Sequence, residues 1–317
     1  MSLGLGAALA ALFLYYSLRG LDWTAVWAVV RRADALRLAA VALIATTTLF
    51  LRGCRWRILL NAEGRVGVAA AFWATAAGLF GNNFLPARGG EVIRSYMIAA
   101  RSRLGIPYVL ATALSERIVD AIVLVAISAV VLLALPSAPG WLAAAARPLA
   151  VLGLVGAAII AVLPLLGSVL RGVIERFPLT GRTQQRIVSA MERALEGMRT
   201  FHDARRLTLF VSAALVIWCL DAAGTVMGGT ALGLRIQPAA ALLLIAGLSL
   251  GSALPSTPGY VGIYQFVAVS VLRPFGFSSA DAIAYILVAQ ALSYLVIGFW
   301  GALGLMRYRR TGEAQRP

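Results

Sequence analysis

Ala77-Gly78-Leu79 leads to Leu85-Pro86 and Gly90, and 169 positions later Ala246-Gly247-Leu248 leads to Leu254-Pro255 and Gly259. Aligned without a gap, six of fourteen positions agree; composition alone gives roughly two, so an internal repeat is predicted. Both copies sit in apolar sequence. Proline has no N–H to donate and clashes with the preceding turn, and glycine weakens a helix, so each copy should break the helix that carries it. In hydrocarbon the freed backbone groups are costly unless protein or a watered cavity satisfies them. Paired interruptions in corresponding halves are therefore the sequence mark of a binding site at the bilayer midplane.

Outward from the repeat, the chain is 61% hydrophobic and 13% charged over 317 residues. The fold class predicted is all-α: a polytopic helical membrane protein with two broken or re-entrant hairpins in an inverted repeat. All 28 basic residues are arginine, against 13 acids, which removes every lysine-dependent chemistry. Neither a P-loop nor a Schiff base can form, so ATP hydrolysis by the Walker route is excluded. Two cysteines, Cys54 and Cys219, and one histidine, His202, offer no metal cluster or disulfide framework. No metal, cofactor or catalytic residue is expected, and the chain is read as a non-enzyme. The arginines are scattered at helix ends without interleaved aromatics, which speaks against nucleic acid and for anionic lipid.

One integral membrane domain is expected over 1–317, without a soluble domain. Leu3 to Leu18 reads as an anchored span, and Asp22 to Arg37, with Trp23, Val26, Trp27 and Val30 at helical spacing, as an interfacial helix. The apolar run Leu38 to Leu51 ends in Arg52-Gly-Cys-Arg55-Trp56-Arg57, read as a cytoplasmic edge with Trp56 at headgroup depth. The first hairpin occupies 66–104 and the second 239–274. Between them, spans at Ile106 to Leu135 and Pro148 to Leu170 precede an arginine-rich cytoplasmic surface helix at 171–206, with Ile187, Met191, Leu195 and Met198 at helical spacing. Leu207 to Leu232 crosses outward, and Ala282 to Met306 returns the C-terminus to the cytoplasm.

Ionisable groups inside this membrane part are Arg88, Glu91, Arg94, Glu116, Arg117, Asp120 and Asp221. A charge at the bilayer centre costs about 2.5–3.5 kcal/mol, so each is a functional candidate. Arg88 and Arg94 flank Gly89-Gly90, where a new helix begins; its N-terminal N–H groups and two guanidinium forks suit a lipid phosphate. Glu116, Arg117 and Asp120 have two open readings, a ligand pocket or mutual pairing that ties helices together. Asp221 likewise either handles a proton or cation or pairs with an arginine of another helix. Asn82 and Asn83 precede the first break, for freed backbone or for a headgroup. The second break, Pro255-Ser-Thr-Pro258-Gly259-Tyr260-Val-Gly262-Ile-Tyr264-Gln265, is uncharged; its hydroxyls and Gln265 would line a path for a polar head. Pro86, Gly89, Gly90, Pro255, Pro258, Gly259 and Gly262 are the predicted break or hinge positions.

Asp22-Trp23, Arg55-Trp56-Arg57, Asn83-Phe-Leu-Pro86-Ala-Arg88-Gly-Gly90-Glu91-Val-Ile-Arg94, Ser115-Glu116-Arg117-Ile-Val-Asp120 and Pro255-Ser-Thr-Pro258-Gly259-Tyr-Val-Gly262 together resemble the lysylphosphatidylglycerol synthase transmembrane family, a flippase-like group. That resemblance implies translocation of a lipid between leaflets of a bacterial inner membrane, with Pro86, Gly90, Glu91, Arg94, Glu116, Arg117, Asp120, Pro255, Pro258 and Gly259 as motif residues. Gln265 stands where many relatives carry glutamate, and synthesis of an aminoacylated lipid is not expected of this sequence. The expected substrate is an anionic phosphate-bearing lipid of phospholipid, glycolipid or polyprenyl-phosphate type. The alternatives are an integral-membrane transferase acting on a lipid phosphate, with Glu91, Glu116 or Asp120 as base, and a noncatalytic partner of a lipid-modifying enzyme.

Overall fold

The computed structural model of the chain describes residues 12–85, 89–134, 140–177, 181–252 and 258–313, and every regular element among them is helical. In chain order these are α1 (12–18), α2 (Trp23–Val30), α3 (Ala35–Leu60), α4 (Val68–Phe84), α5 (Gly90–Ala99), α6 (Ile106–Ala134), α7 (Gly140–Val162), α8 (Gly167–Glu175), α9 (Gly181–Arg199), α10 (Ala204–Ala231), α11 (Pro238–Gly251), α12 (Ile263–Leu272) and α13 (Ser279–Glu313). Four stretches are long and apolar enough to cross a membrane: Ala35–Leu60, Gly153–Glu175, Ala204–Ala231 and Ser279–Arg309. The molecule is a helical membrane protein, as its composition requires.

Caps decide where the early helices begin. Asp22 accepts hydrogen bonds from the N–H groups of Thr24 and Ala25, and Asp34 from those of Leu36 and Arg37, at 2.9 and 3.1 Å. The Asp34 cap starts α3 three residues before its apolar run, and the helix is 26 residues long. Arg52, Arg55 and Arg57 therefore lie within a helix that continues to Leu60, where an edge was expected. The Asp22-to-Arg37 segment is correspondingly two pieces, α2 and the head of α3. Losing one such cap costs about 1 kcal/mol. Asp34→Ala should therefore lower the thermal unfolding midpoint in detergent by a few degrees and leave the oligomeric profile unchanged.

The stretch 171–206 also differs from expectation. A single surface helix was predicted; the described residues form the end of α8, then α9, a short 3-10 turn over Thr200–His202, and the head of α10. Helix α9 lies against α6, with Leu195 buried and Gly197 so close to Tyr108 O that an added Cβ would sit 3.0 Å away. The span expected at Pro148 to Leu170 is interrupted by a 3-10 turn at Leu163–Leu166, which contains Pro164.

The second half of the chain repeats the first. Helices α3 and α10 begin at Ala35 and Ala204, 169 positions apart, whereas α6 and α13 begin at Ile106 and Ser279, 173 apart. The N-cap glycines of α5 and α12, Gly89 and Gly262, are also 173 apart. The second break is thus four residues longer, and the ungapped pairing of Gly90 with Gly259 holds in sequence but not in structure. Packing follows the same exchange of halves: α2 lies on α13 as α9 lies on α6, and α4 lies on α13 as α11 lies on α6. Helices α3 and α10 lie on each other, antiparallel. Asp34 N–H donates to Ala231 O and Arg37 to Thr230 O at one end, and Arg55 covers the Phe210 ring at the other. Two equivalent spans running in opposite directions make the repeat an inverted one.

Both hairpins close through glycine. An added Cβ on Gly78 would lie 2.9 Å from Arg94 Cβ, and one on Gly247, its repeat partner, 2.8 Å from Val267. The shared Ala-Gly-Leu string therefore marks the point where each helix meets its returning partner. Helix α4 ends at Phe84 with Leu85 extended (φ −98°, ψ 141°). The second break is built on left-handed residues, Gly259, Tyr260 and Gly262 at φ 77°, 61° and 91°, a region glycine enters without strain. Pro86, Arg88 and Pro255, and the side chain of Pro258, lie outside the described residues.

Candidate functional site

Six ionised side chains from three helices meet behind the first hairpin. Arg55 of α3 reaches Asp120 through both terminal nitrogens, Nη1 to Oδ1 at 2.6 Å and Nη2 to Oδ2 at 2.8 Å, and Glu116 Oε1 at 2.7 Å. Arg94 of α5 holds Glu91 at 2.5 Å and Glu116 at 2.9 Å. Arg117 of α6 holds Glu91 at 2.9 Å and stands 4.0 Å from Asp120. Three guanidiniums face three carboxylates, so the group is neutral overall, which is how charge survives burial at all. Aromatic faces complete the desolvation: Arg94 lies 4.4 Å over Trp56 and Arg55 4.7 Å over Phe210.

In front of this network is a cavity of about 720 Å³. Its polar lining includes Arg52 from α3, Asn82 and Asn83 from α4, Arg117 and Asp120 from α6, Asp221 from α10, and Tyr260, Tyr264, Gln290 and Tyr294 around the second break. Its walls are apolar, including Leu49, Ile122, Ile159, Leu248 and Ile297. Both hairpins thus border one void. Arg52 crosses to Asp221 at 2.6 Å and lies 4.9 Å over the Trp218 ring. Tyr260 and Tyr264 stack with ring centres 5.1 Å apart.

The expected ligand-binding residues separate into three groups. Asn82, Asn83, Arg117, Asp120 and Asp221 border the cavity. Glu91, Arg94 and Glu116 do not; they are buried behind it, and Arg94 is 2% exposed, with its guanidinium shared among Glu91, Glu116 and Trp56. Gln265 is also away from the void. Its Oε1 accepts the Gly262 N–H at 2.7 Å, and its Nε2 donates to Gln290, which in turn donates to Gly259 O. It satisfies backbone freed by the break, where a path for a headgroup had been expected. Arg88 falls outside the described residues.

Helices α5 and α6 are tied by Glu91 and Arg117, and their repeat counterparts α12 and α13 by Gln265 and Gln290. The two hairpins therefore carry matching clasps, one charged and one neutral. Sequence reasoning overlooked Arg55, Arg52 and Trp56 as interior groups, and Gln290 and Tyr294 altogether. Gln290 and Tyr294 are four apart in an otherwise apolar helix, one stripe of one face, which is the signal that marks them. Among the described residues no group of three or more His, Cys, Asp or Glu is placed to hold a metal ion.

The profile of the family described as lysylphosphatidylglycerol synthase TM region matches residues 3–301. The chain belongs to this family. It is 28% identical over 341 aligned positions to a protein named glycosyltransferase AglD from Haloferax volcanii. The match covers 93% of the chain and 52% of that relative, so the chain spans about half the relative's length. No solved structure matches. Family and fold together make this a multi-pass, lipid-related membrane protein.

Proposed function

We propose that the protein carries the phosphate-bearing head of an anionic lipid across the midplane while the tails stay in hydrocarbon. The observation that supports this reading is a single void bordered by both broken hairpins, apolar in its walls and charged on one side. Arg117 is the natural phosphate ligand. Its side chain is 27% exposed, against 3% for Arg94 and none for Arg55, and Glu91 keeps Arg94 and Asn82 as partners if Arg117 turns outward. The positive-inside rule, applied to Arg307 and Arg309, supports a cytoplasmic C-terminal end of α13 in this reading.

The test is exchange of fluorescent phosphatidylglycerol between leaflets of reconstituted vesicles. A hydrogen bond to a charged group contributes about 1.5–3 kcal/mol, so Arg117→Gln should slow exchange by about ten- to a hundredfold. Unchanged exchange in Arg117→Gln removes Arg117 from the reading, and vesicles with wild-type protein that exchange no faster than empty ones remove the reading itself.

The name of the Haloferax relative supports a second reading, participation in lipid glycosylation as the membrane partner of a transferase. Against a transferase in this chain stands the state of its acids: Glu91, Glu116 and Asp120 are all held by arginines, and none is free to act as base. Purified chain that neither exchanges lipid between leaflets nor transfers sugar alone, but raises sugar transfer onto a lipid phosphate by an added transferase, would favour the second reading.

A further inference from the structure

Arg52 and Asp221 are 169 positions apart, the separation that relates α3 to α10 as a whole. They are equivalent positions in the two repeats, and they touch, Nη2 to Oδ2 at 2.6 Å. Equivalent positions meet only on the axis that exchanges the two repeats. Because α3 and α10 run antiparallel, that axis passes between them, perpendicular to both, and lies in the plane of the membrane. Whichever repeat rocks, a pair on the axis stays midway between the two faces. This pair also borders the cavity, with side chains 17% and 22% exposed.

Its connectivity sets it apart. Glu91, Glu116 and Asp120 each face two arginines, whereas among the described residues Asp221 is in one ion pair, with Arg52. An anion entering the cavity finds in Arg52 a guanidinium with one carboxylate to give up.

We propose that Arg52 and Asp221 form an exchange site for an anionic head and a proton: the head's phosphate takes Arg52, and Asp221 takes up a proton in place of its lost partner. The proposal rests on the lipid-translocation reading and adds its coupling ion. Charge balances at every stage. The empty site holds one guanidinium and one carboxylate; the loaded site holds a guanidinium with a phosphate monoanion, and a neutral carboxylic acid. One proton enters per head and leaves from Asp221 Oδ2 when the ion pair re-forms, so neither state carries net charge through hydrocarbon.

The surroundings favour this exchange. From α6, Asp120 borders the same cavity; its charge, already committed to Arg55, adds to the cost of leaving Asp221 ionised without Arg52. Arg117, also on α6, is engaged with Glu91 in the empty cavity and, once turned outward, joins Arg52 at the phosphate. The titratable groups facing the cavity from the second break, α12 and α13 are the phenols Tyr260, Tyr264 and Tyr294, a side chain that is ordinarily uncharged near neutral pH. From α3, Arg52 is the facing charge. On α10 itself Trp218, one turn earlier, keeps the guanidinium plane in place.

Vesicles containing a trace of fluorescent phosphatidylglycerol and an enclosed pH dye test this directly, with the membrane potential clamped at zero. Symport of one proton with one monoanionic lipid should enrich the lipid about tenfold, per pH unit, in the leaflet facing the alkaline side. The dye should report proton entry alongside. Asp221→Asn should abolish the enrichment. The double exchange Arg52→Asp with Asp221→Arg should restore it, because the axis makes the two positions interchangeable, whereas either single reversal should not. Should a variant fail to fold by size-exclusion profile, the wild-type leaflet ratio and dye signal decide alone. Exchange that settles at equal leaflet populations under a pH gradient, or a gradient response that survives in Asp221→Asn, overturns the proposal and leaves translocation standing. Wild-type vesicles without any exchange overturn translocation, and the proposal with it.

Discussion

Arg55→Ala should leave little folded protein in the membrane. The Arg55 side chain is fully buried and holds Asp120 with two hydrogen bonds and Glu116 with a third. Truncation leaves Asp120 with only Arg117, 4.0 Å away, and Glu116 with Arg94. Removing one partner of a buried ion pair costs about 3–5 kcal/mol, because the other is stranded, and a whole domain is stable by only about 5–15 kcal/mol. Detergent extracts of Arg55→Ala should therefore show aggregate in the size-exclusion profile, or a much lower melting temperature. Arg55→Lys should recover only part of the loss, since an ammonium keeps the charge but not the planar fork that spans two carboxylate oxygens. The double variant Arg55→Met with Asp120→Asn removes both charges together and should be more stable than Arg55→Met alone. If Arg55→Ala melts with the wild type, the network is not what holds α3 to α6.

The reason Arg55 escaped notice in the sequence is physical. After an apolar run, arginines ordinarily mark the end of a span, and nothing within Arg52 to Arg57 says otherwise. What overrides that rule is a pair of carboxylates, Glu116 and Asp120, some sixty residues further along, which hold Arg55 in the interior and which no local pattern links to it. Glu91, Arg94, Glu116, Arg117 and Asp120 were legible as a group, since ions in an apolar chain are conspicuous. Which of them borders the cavity was not legible: Arg94 and Arg117 look alike in sequence and differ through the return of α5 onto α4. The repeat was legible from Gly78 and Gly247 because close approach leaves room for no other side chain. Its four-residue offset beyond the break was not, because Gly90 and Gly259 match by letter while Gly89 and Gly262 match by role. Gln265 misled for a related reason. A buried amide reads as a ligand until its partner, 25 residues on in α13, is known.

Gly90→Ala should be the most damaging glycine-to-alanine change among the described residues whose added Cβ can be placed. The Cβ it adds would collide with the carbonyl oxygen of Gly78 and lie 2.6 Å from both the N and the Oδ1 of Asn82. Two of those three atoms are backbone inside α4, so no side chain can swing aside, and the hairpin itself must open. Overpacking of this kind typically costs about 1–3 kcal/mol, and more where backbone has to move. Opening also has a directional consequence. Arg94 is one turn further along α5, with Glu91, Glu116 and Trp56 gathered around it, so lifting α5 away from α4 pulls apart the network that backs the cavity. Leaflet exchange should then fall further than stability alone accounts for, even at temperatures where the protein remains folded. Gly298→Ala is the control: nothing lies within 4 Å of its added Cβ, and within α13 alanine is worth up to about 1 kcal/mol over glycine. A melting temperature for Gly90→Ala equal to that of Gly298→Ala, with exchange intact, would show that the two arms of the first hairpin do not meet at Gly78 and Gly90, and with that contact would go the placement of Arg94 behind the cavity.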